Sequence, residues 1–140
     1  MKTAAFLLTL GTLLLPARTF AEHEVFYRYT VLGYVKDARG RPVPGREVTV
    51  VRDKTGFSYL GQSDAGGLYV VTLRLGDESL GERLTVRSGA TTASIVVRFD
   101  AGNKTEERGT RLDLEGTRSV ERAASFAPTL TRFLNAPVPR

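Results

Sequence analysis

The chain has 140 residues, of which 41% are hydrophobic and 25% are charged, a balance typical of one globular domain rather than of a disordered chain. The absence of cysteine excludes a disulfide framework, c-type haem attachment, a thiolate zinc site and a thiol nucleophile. With a single histidine, His23, most other catalytic constellations are excluded as well. The 20 Lys and Arg residues are interleaved with 15 acidic residues, so no basic block indicates nucleic-acid binding.

Residues 1–21 have the pattern of a signal peptide. Lys2 supplies the positive charge, residues 4–15 form an apolar run, and Thr19 and Ala21 are small residues at the positions that a signal peptidase recognises. The apolar run is shorter than the roughly 20 residues that a membrane-spanning helix needs. We therefore predict cleavage after Ala21 and an exported mature protein with no integral membrane span. A retained N-terminal anchor is the alternative.

The next part of the chain alternates apolar and polar residues between turns rich in Gly, Pro and Asp. This pattern predicts short strands. Seven strands are expected, at residues 29–35, 47–50, 57–62, 68–75, 83–87, 92–99 and 110–115. Residues 37–45 and 63–67 are predicted turns, the second with glycines suited to a hairpin. Because no helix lies between the strands to connect a parallel sheet, we predict an all-β, antiparallel, two-sheet sandwich.

Two motifs carry a family resemblance. Residues 31–50 contain a Gly-x-Val strand, an Asp-x-x-Gly-x-Pro-Val-Pro-Gly turn and a Val-x-Val strand, and residues 63–69 read Ser-Asp-Ala-Gly-Gly-Leu-Tyr. This combination resembles the carboxypeptidase regulatory-like domain. The resemblance implies a seven-stranded antiparallel Greek-key β-sandwich of transthyretin-like topology over residues 22–116, with no catalytic residues of its own.

The chain departs from the family pattern at Arg46, where a small residue is common. Arg46 has the parity of the core residues Val48 and Val50. We expect its stem to lie along the core edge with the guanidinium in water, and pairing with an acid is the alternative.

Two groups of enzymes have a sandwich of similar topology. Hydroxyisourate hydrolases need several histidines and a C-terminal Tyr-Arg-Gly-Ser, and intradiol dioxygenases hold iron with two tyrosines and two histidines. One histidine and a chain that ends Pro-Val-Pro-Arg fit neither group. The sequence therefore predicts a protein that is not an enzyme, with no catalytic residues and no cofactor.

Metal binding is also not predicted. His23 lies between Glu22 and Glu24, but adjacent residues of a strand point to opposite faces and cannot converge on one ion. Asp37, Asp53 and Asp64 lie in turns, where aspartates usually accept hydrogen bonds from their own backbone amides rather than bind calcium.

A ligand face is predicted on the polar sides of the strands. Its candidates are Tyr34, Phe57, Tyr59, Arg74, Arg87 and Arg98. Exposed rings that share one face would stack on a sugar, with the arginines contacting hydroxyl groups. The alternative is that these rings are ordinary strand residues that pack across the sheet.

Residues 117–140 lose the alternation and place Val120, Ala124, Ala127, Leu130 and Leu134 at helical spacing. We predict one or two short helices, with Pro128 opening the second, or a partly disordered tail. The tail is expected to cover an edge or open end of the sandwich. In the alternative, Leu130, Phe133 and Leu134 dock into a groove of a partner.

These observations predict a non-catalytic exported binding or assembly module of the bacterial periplasm or cell surface. Its partner would be another envelope or surface protein, or a glycan, and its oligomeric state is left open. The alternative function is a carbohydrate-binding module. A small-molecule or metal carrier would need a concave polar pocket, of which the sequence gives no sign.

Overall fold

The computed structural model describes residues 24–137, and these residues form two β-sheets with one short helix. The predicted leader, residues 1–21, and His23 lie outside the described residues. The strands are β1 (Arg28–Lys36), β2 (Glu47–Arg52), β3 (Ser58–Gln62), β4 (Leu68–Arg74), β5 (Arg83–Ser88), β6 (Thr91–Val96), β7 (Gly109–Glu115) and β8 (Arg118–Glu121). The helix is α1 (Phe126–Leu134), and no helix within residues 24–137 is long and apolar enough to cross a membrane. The prediction of an all-β sandwich is confirmed.

Each sheet has four strands. The first sheet has the order β4-β1-β7-β8 and the second has the order β3-β2-β5-β6. Pairings are antiparallel except between β1 and β7, which run parallel, with Val31 opposite Thr110 and Val35 opposite Leu114. The prediction of a wholly antiparallel sandwich is therefore wrong at this pair. A direct hairpin forces antiparallel pairing, but β1 and β7 become neighbours only after the chain has crossed between the sheets several times.

The sandwich has an eighth strand where the sequence predicts the tail to begin. β8 pairs antiparallel with β7, with Val120 opposite Asp113 and Arg118 opposite Glu115. Arg118 and Ser119 are exposed, so β8 lacks the apolar alternation that reveals the other strands. Its strand conformation comes from backbone pairing with β7. The sandwich consequently continues past residue 116.

The apolar core lies between the two inner faces. Its largest fully buried side chains include Tyr29, Tyr69, Leu73 and Leu84. These residues have the parity that alternation predicts for the inward side, and their burial is the main favourable contribution to folding. The hydroxyl of Tyr69 donates to the carbonyl of Leu112, which satisfies its polar end inside the core.

The turn at residues 63–67 is tight, as predicted, but it is not a hairpin within one sheet. Oδ1 of Asp64 accepts hydrogen bonds from the amides of Gly66 and Leu68, both at 2.9 Å, and Gly67 has a φ of +82°. The turn joins β3 of the second sheet to β4 of the first. It therefore forms a corner of the sandwich.

Helix α1 packs on the outer face of the first sheet. Phe126 and Leu130 form a small second core with Leu32 of β1, and Val70 of β4 contacts it. Pro128 lies in the first turn of the helix, where its missing amide costs no hydrogen bond. The expectation that the tail covers an edge or open end is corrected, because α1 covers a sheet face.

Candidate functional site

The predicted ligand residues do not share a face. Tyr34 is half-buried on the outer side of β1, where the Arg111 guanidinium lies 5.0 Å from its ring centroid. Arg74 is on β4 of the same sheet, opposite Arg28. Arg87 lies on β5 in the second sheet, so the sandwich separates it from the other two.

The remaining predicted ligand residues are also dispersed. Tyr59 points inward and packs against the core, because it takes the inward parity of β3, so its predicted solvent exposure is wrong. Phe57 is 68% exposed in the turn before β3. Arg98 follows β6 and lines a small cavity of about 180 Å³ in the β6–β7 loop. The rings therefore form no common stacking platform.

The predicted docking residues divide into two groups. Leu130 is 8% exposed and is part of the contact between α1 and the first sheet, so it is not available to a partner in this arrangement. Phe133 is 41% exposed and Leu134 is 65% exposed at the C-terminal end of α1. The helix thus acts first as a cover, and two apolar side chains of the predicted set stay at the surface.

A cleft lies at the end of the sandwich where three turns meet: β1–β2, β5–β6 and β7–β8. It consists of two adjoining cavities of about 370 and 250 Å³, and we name it the turn cleft. Five residues line both cavities: Lys36, Asp37, Ala38, Gly116 and Thr117. A cleft of this size falls within the range of ordinary ligand sites. The concave polar site that the sequence gave no sign of is therefore present.

Hydrogen bonds between the turns hold the turn cleft in shape. The amide of Gly116 donates to the carbonyl of Lys36 at 2.9 Å, which ties the β7–β8 turn to β1. The hydroxyl of Thr91 donates to the carbonyl of Gly116 at 3.0 Å, which links the two sheets. Gly116 has a φ of +64°, a conformation that glycine adopts without a steric cost. The walls of the cleft are therefore pre-formed.

The β1–β2 turn is ordered by Asp37. Its Oδ1 accepts from the amides of Arg39 and Arg41, both at 2.9 Å, and its Oδ2 accepts from Nε of Arg41 at 2.9 Å. The pKa of Asp37 lies below its usual value, mainly because its carboxylate accepts a hydrogen bond from the Arg41 amide. The Arg39 amide and the Arg41 side chain lower this pKa further, by smaller amounts. Asp37 is therefore an ionised, internally satisfied turn residue.

The acidic side chains of the turn cleft have ion-pair partners, whereas three of its basic side chains do not within residues 24–137. Asp37 pairs with Arg41, and Glu115 accepts from Arg122 at 3.3 Å. Lys36, Arg46 and Arg118 also line the cleft, and within residues 24–137 none of the three forms a salt bridge. The Lys36 ammonium lies 5.7 Å from the ring centroid of Tyr34, a cation–π contact. The cleft consequently presents positive charge to a ligand.

Arg46 behaves as its sequence position predicts and also contributes to the cleft. It is exposed, precedes β2, and lines the smaller cavity beside Val35 and Val43. Its Nη1 lies 2.5 Å from where a Cβ of Gly89 would be, so the guanidinium extends over the β5–β6 turn. The sequence singled out Arg46 but not Lys36 or Arg118, because only the fold brings the three turns together.

A second group of charges lies on the outer face of the first sheet and is fully matched. Asp113, whose side chain is 1% exposed, accepts from Nε and Nη2 of Arg111 and from Arg122. Nη1 of Arg111 donates to the hydroxyl of Thr129 at 3.1 Å, which connects the cluster to α1. The three guanidinium nitrogens of Arg111 all donate to an oxygen of Asp113 or Thr129, so this cluster fixes the helix to the sheet.

A third group of charges lies at the opposite end of the sandwich. Arg108 has a side chain that is only 3% exposed; its Nη1 donates to Asp77 at 2.7 Å, and its guanidinium lies 4.0 Å from the ring centroid of Phe99. Lys104 also pairs with Asp77. Hydrogen bonds from Lys104, then from Arg108, hold the pKa of Asp77 below its usual value. This group fixes the β6–β7 loop.

Within residues 24–137 no three His, Cys, Asp or Glu side chains converge into a group that could hold a metal ion. The turn aspartates have protein partners instead. Asp37 and Asp64 accept from backbone amides, as described above, and Oδ1 of Asp53 accepts from the hydroxyl of Thr85 at 2.6 Å.

No protein-family model matches the chain, and no curated protein matches it. Among solved structures, it is similar to the dioxygenase domain of a dioxygenase carbohydrate-binding protein fusion from the cellulolytic bacterium Streptomyces sp. SirexAA-E. That match has 15% identity, a TM-score of 0.47, and covers 64% of this chain and 79% of the other. It is also similar to the mercury-inhibited catechol 1,2-dioxygenase from Acinetobacter sp. ADP1, with 15% identity, a TM-score of 0.41, and coverage of 66% of this chain and 53% of the other.

These neighbours contradict the prediction that the protein is not an enzyme, because both are dioxygenases. We withdraw that prediction. At 15% identity, with TM-scores of 0.41 and 0.47, the likeness transfers no activity, substrate or cofactor to this chain.

Proposed function

We propose that this chain is an exported binding module of the bacterial periplasm or cell surface, and that its partner binds at the turn cleft. Export rests on the signal-peptide pattern of residues 1–21. The partner is another envelope or surface protein. Whether the module acts as a monomer or a dimer does not affect the site, because all three turns belong to one chain.

The proposal includes a Greek-key, transthyretin-like topology for the sandwich. The motifs in residues 31–50 and 63–69 support it, and so does a strand order in which four connections pass from one sheet to the other. In such sandwiches the turns at each end of the sheets are the usual place for binding residues, since the strands hold them rigidly.

One observation carries the proposed function: the turn cleft combines a concave shape with cations that have no acidic partner in the described part of the chain. Lys36, Arg46 and Arg118 come from three different turns or strand ends, yet they line the same cleft. Elsewhere in the described residues the buried Arg108 and the partly buried Arg111 have carboxylate partners. Unmatched cations in a pre-formed cleft favour a ligand that supplies the missing negative charge.

A protein partner is preferred to a neutral glycan because no aromatic ring among residues 24–137 lines the turn cleft. The residues around both cavities are small, aliphatic, polar or charged. The rings expected to form a sugar platform are dispersed over the first sheet, the core and the β2–β3 turn. A carbohydrate-binding role through stacked tyrosines therefore has no geometric support.

The test is a comparative pull-down from native envelope extract with mature protein, residues 22–140, as bait. A variant with both Arg46→Ala and Arg118→Ala is compared with a control carrying Arg83→Ala and Arg87→Ala. The control removes the same charge from exposed positions of β5 on the outer side of the second sheet.

We expect the wild type and the control to retain the same partner and the cleft variant to lose it. Retention of that partner by all three proteins would overturn the proposal. Loss only in the control would move the site to the outer face of the second sheet, where Arg87 was a predicted ligand residue. Bound glycans are analysed in the same eluates.

A further inference from the structure

We propose that the turn cleft recognises an acidic peptide segment of its partner, in which a carboxylate lies beside an apolar side chain. This inference rests on the proposed function and names the chemistry of the ligand. The carboxylate would pair with Arg46, and the apolar side chain would lie on the floor of the smaller cavity.

The charges around the cleft select an anion. Its two acids are already engaged, Asp37 by Arg41 and Glu115 by Arg122. Its cations Lys36, Arg46 and Arg118 have no salt bridge within residues 24–137. Two of the three are arginines, whose planar guanidinium groups match carboxylates with paired hydrogen bonds.

The cations are distributed so that a chain with more than one carboxylate is favoured. Lys36 on β1 is opposite Glu115 on β7, and Glu115 is opposite Arg118 on β8. Lys36 and Arg118 are thus two strands apart, about 10 Å. Arg46 lies on the other side of the cleft, towards the β5–β6 turn. The three cations are thus spread over both cavities, a distribution that suits an acidic segment better than a single small anion.

The floor of the smaller cavity distinguishes a peptide from an acidic polysaccharide. Val35, Val43, Ala90 and Leu114 line it beside Arg46. The hydroxyls of Ser88 and Thr91 also line this cavity, but both already donate to main-chain carbonyls. The many hydroxyl groups of a sugar ring would therefore find few partners there, and burying them unpaired is costly. In a peptide, an aliphatic side chain can pack on this floor while a neighbouring carboxylate pairs with Arg46.

The cleft is also preorganised, which lowers the entropy lost on binding. The bonds from Gly116 to Lys36 and from Thr91 to Gly116 fix the walls before a ligand arrives. Ser88 adds a third connection, because its hydroxyl donates to the carbonyl of Glu47 at 3.0 Å. The Arg46 guanidinium already extends over Gly89 at the rim.

The test uses three probes with the mature full-length chain. The first is a fluorescent peptide of seven residues that contains two glutamates, each next to a leucine. The second is the same peptide with glutamine in place of glutamate, and the third is trigalacturonate, an acidic glycan. Binding is measured by fluorescence anisotropy or competition, and amide chemical shifts locate the site.

We expect the acidic peptide to bind and to shift the amides of Gly89, Gly116 and Thr117. Removing both Arg46 and Arg118 should weaken binding by about tenfold or more, since charge-assisted hydrogen bonds are lost at two positions. The Arg83→Ala, Arg87→Ala control should bind as the wild type does, and the glutamine peptide should bind at least about tenfold more weakly. Thermal unfolding of each variant checks that the fold is intact.

Other outcomes separate this inference from the proposed function. If trigalacturonate binds in the cleft and the acidic peptide does not, the ligand is an acidic glycan and the peptide inference is overturned. If neither binds but the cleft variant still loses its envelope partner, the inference fails while the proposed function stands. If the peptide shifts amides elsewhere on the sandwich, the site is misplaced and the inference is wrong.

Discussion

The side chain of Asp113 accepts a hydrogen bond from the backbone amide of Tyr34, with Oδ1 3.0 Å from the amide nitrogen. The strands β1 and β7 are in register on both sides of this point, at Leu32 opposite Arg111 and at Val35 opposite Leu114. A carboxylate therefore takes the place of a main-chain acceptor within the parallel pair. Because Arg111 and Arg122 neutralise the buried charge, the same carboxylate also fastens the C-terminal segment to the sheet.

The first prediction concerns acid stability. Burial raises the pKa of Asp113, but hydrogen bonds from Arg111 and from the Tyr34 amide outweigh it, so the pKa lies below the ordinary value of 3.8. A depressed pKa in the folded state stabilises the protein above the unfolded pKa, and this contribution disappears as the pH falls through the folded pKa. We expect the free energy of unfolding to fall steeply below about pH 4.

Asp113→Asn tests this assignment by urea unfolding between pH 7 and pH 2.5. The variant should be about 3 kcal/mol less stable at pH 7, because it leaves two arginines without their buried partner. Its stability should depend less on pH below about pH 4. Asp100→Asn, at an exposed position, is the control and should resemble the wild type. An unchanged acid slope in Asp113→Asn would contradict the prediction.

The second prediction concerns Gly33, where β1 approaches β7 closely. A Cβ at Gly33 would lie 1.9 Å from the carbonyl oxygen of Leu112, a backbone atom that cannot move aside cheaply. Gly33→Ala should therefore destabilise the protein by about 3 kcal/mol or more, through displacement of the parallel pair. Gly102→Ala in the β6–β7 loop meets only the side chain of Asp100, at 3.2 Å, and should cost much less. Chemical denaturation compares the two, and equal losses would refute the close-approach argument.

The third prediction separates the covering role of α1 from its exposed end. Leu130 is buried against the first sheet, so Leu130→Ala should cost about 2 kcal/mol or more of unfolding free energy. Leu134, 65% exposed in the same helix, is the matched control, and Leu134→Ala should change stability by less than about 0.5 kcal/mol. Thermal unfolding of the two variants measures the difference. Similar melting temperatures would mean that α1 does not pack as described.

The fourth prediction concerns the core between the sheets. Leu73 and Val48 are both 0% exposed, so truncation to alanine removes buried methyl groups and leaves a cavity. Leu73→Ala should destabilise by about 2–5 kcal/mol, with Val48→Ala towards the lower end of that range. Thr72→Ala, one residue from Leu73 on the exposed side of β4, should have little effect. If Thr72→Ala costs as much as Leu73→Ala, the inward and outward sides of β4 are assigned the wrong way round.

Local pattern explains which parts of the fold were predictable. Side-chain alternation has a period of two in any strand, so it identifies strands and their inward sides without knowledge of their neighbours. That is why the core positions Val48 and Leu73 could be assigned from the sequence alone. The tail helix is likewise predictable from a local pattern, because Leu130 and Leu134 recur at helical spacing.

Three features escaped prediction because they depend on contacts between distant residues. The parallel pairing of β1 and β7 depends on how the chain crosses between sheets, which no single strand encodes. β8 has few apolar residues and becomes a strand only beside β7. Tyr59 was expected in solvent as an aromatic strand residue, but β3 pairs with β2 so that Tyr59 is opposite the buried Val50 and packs against the core.

The candidate site shows the same division. By itself the sequence determined a sandwich of short strands, the turn residues Asp37 and Asp64, and an unusual Arg46, since each follows from local backbone preference or parity. Only the tertiary structure decided that Arg46, Lys36 and Arg118 line one cleft, because charges far apart in the chain share a field only after the two sheets have closed and their turns have met at one end.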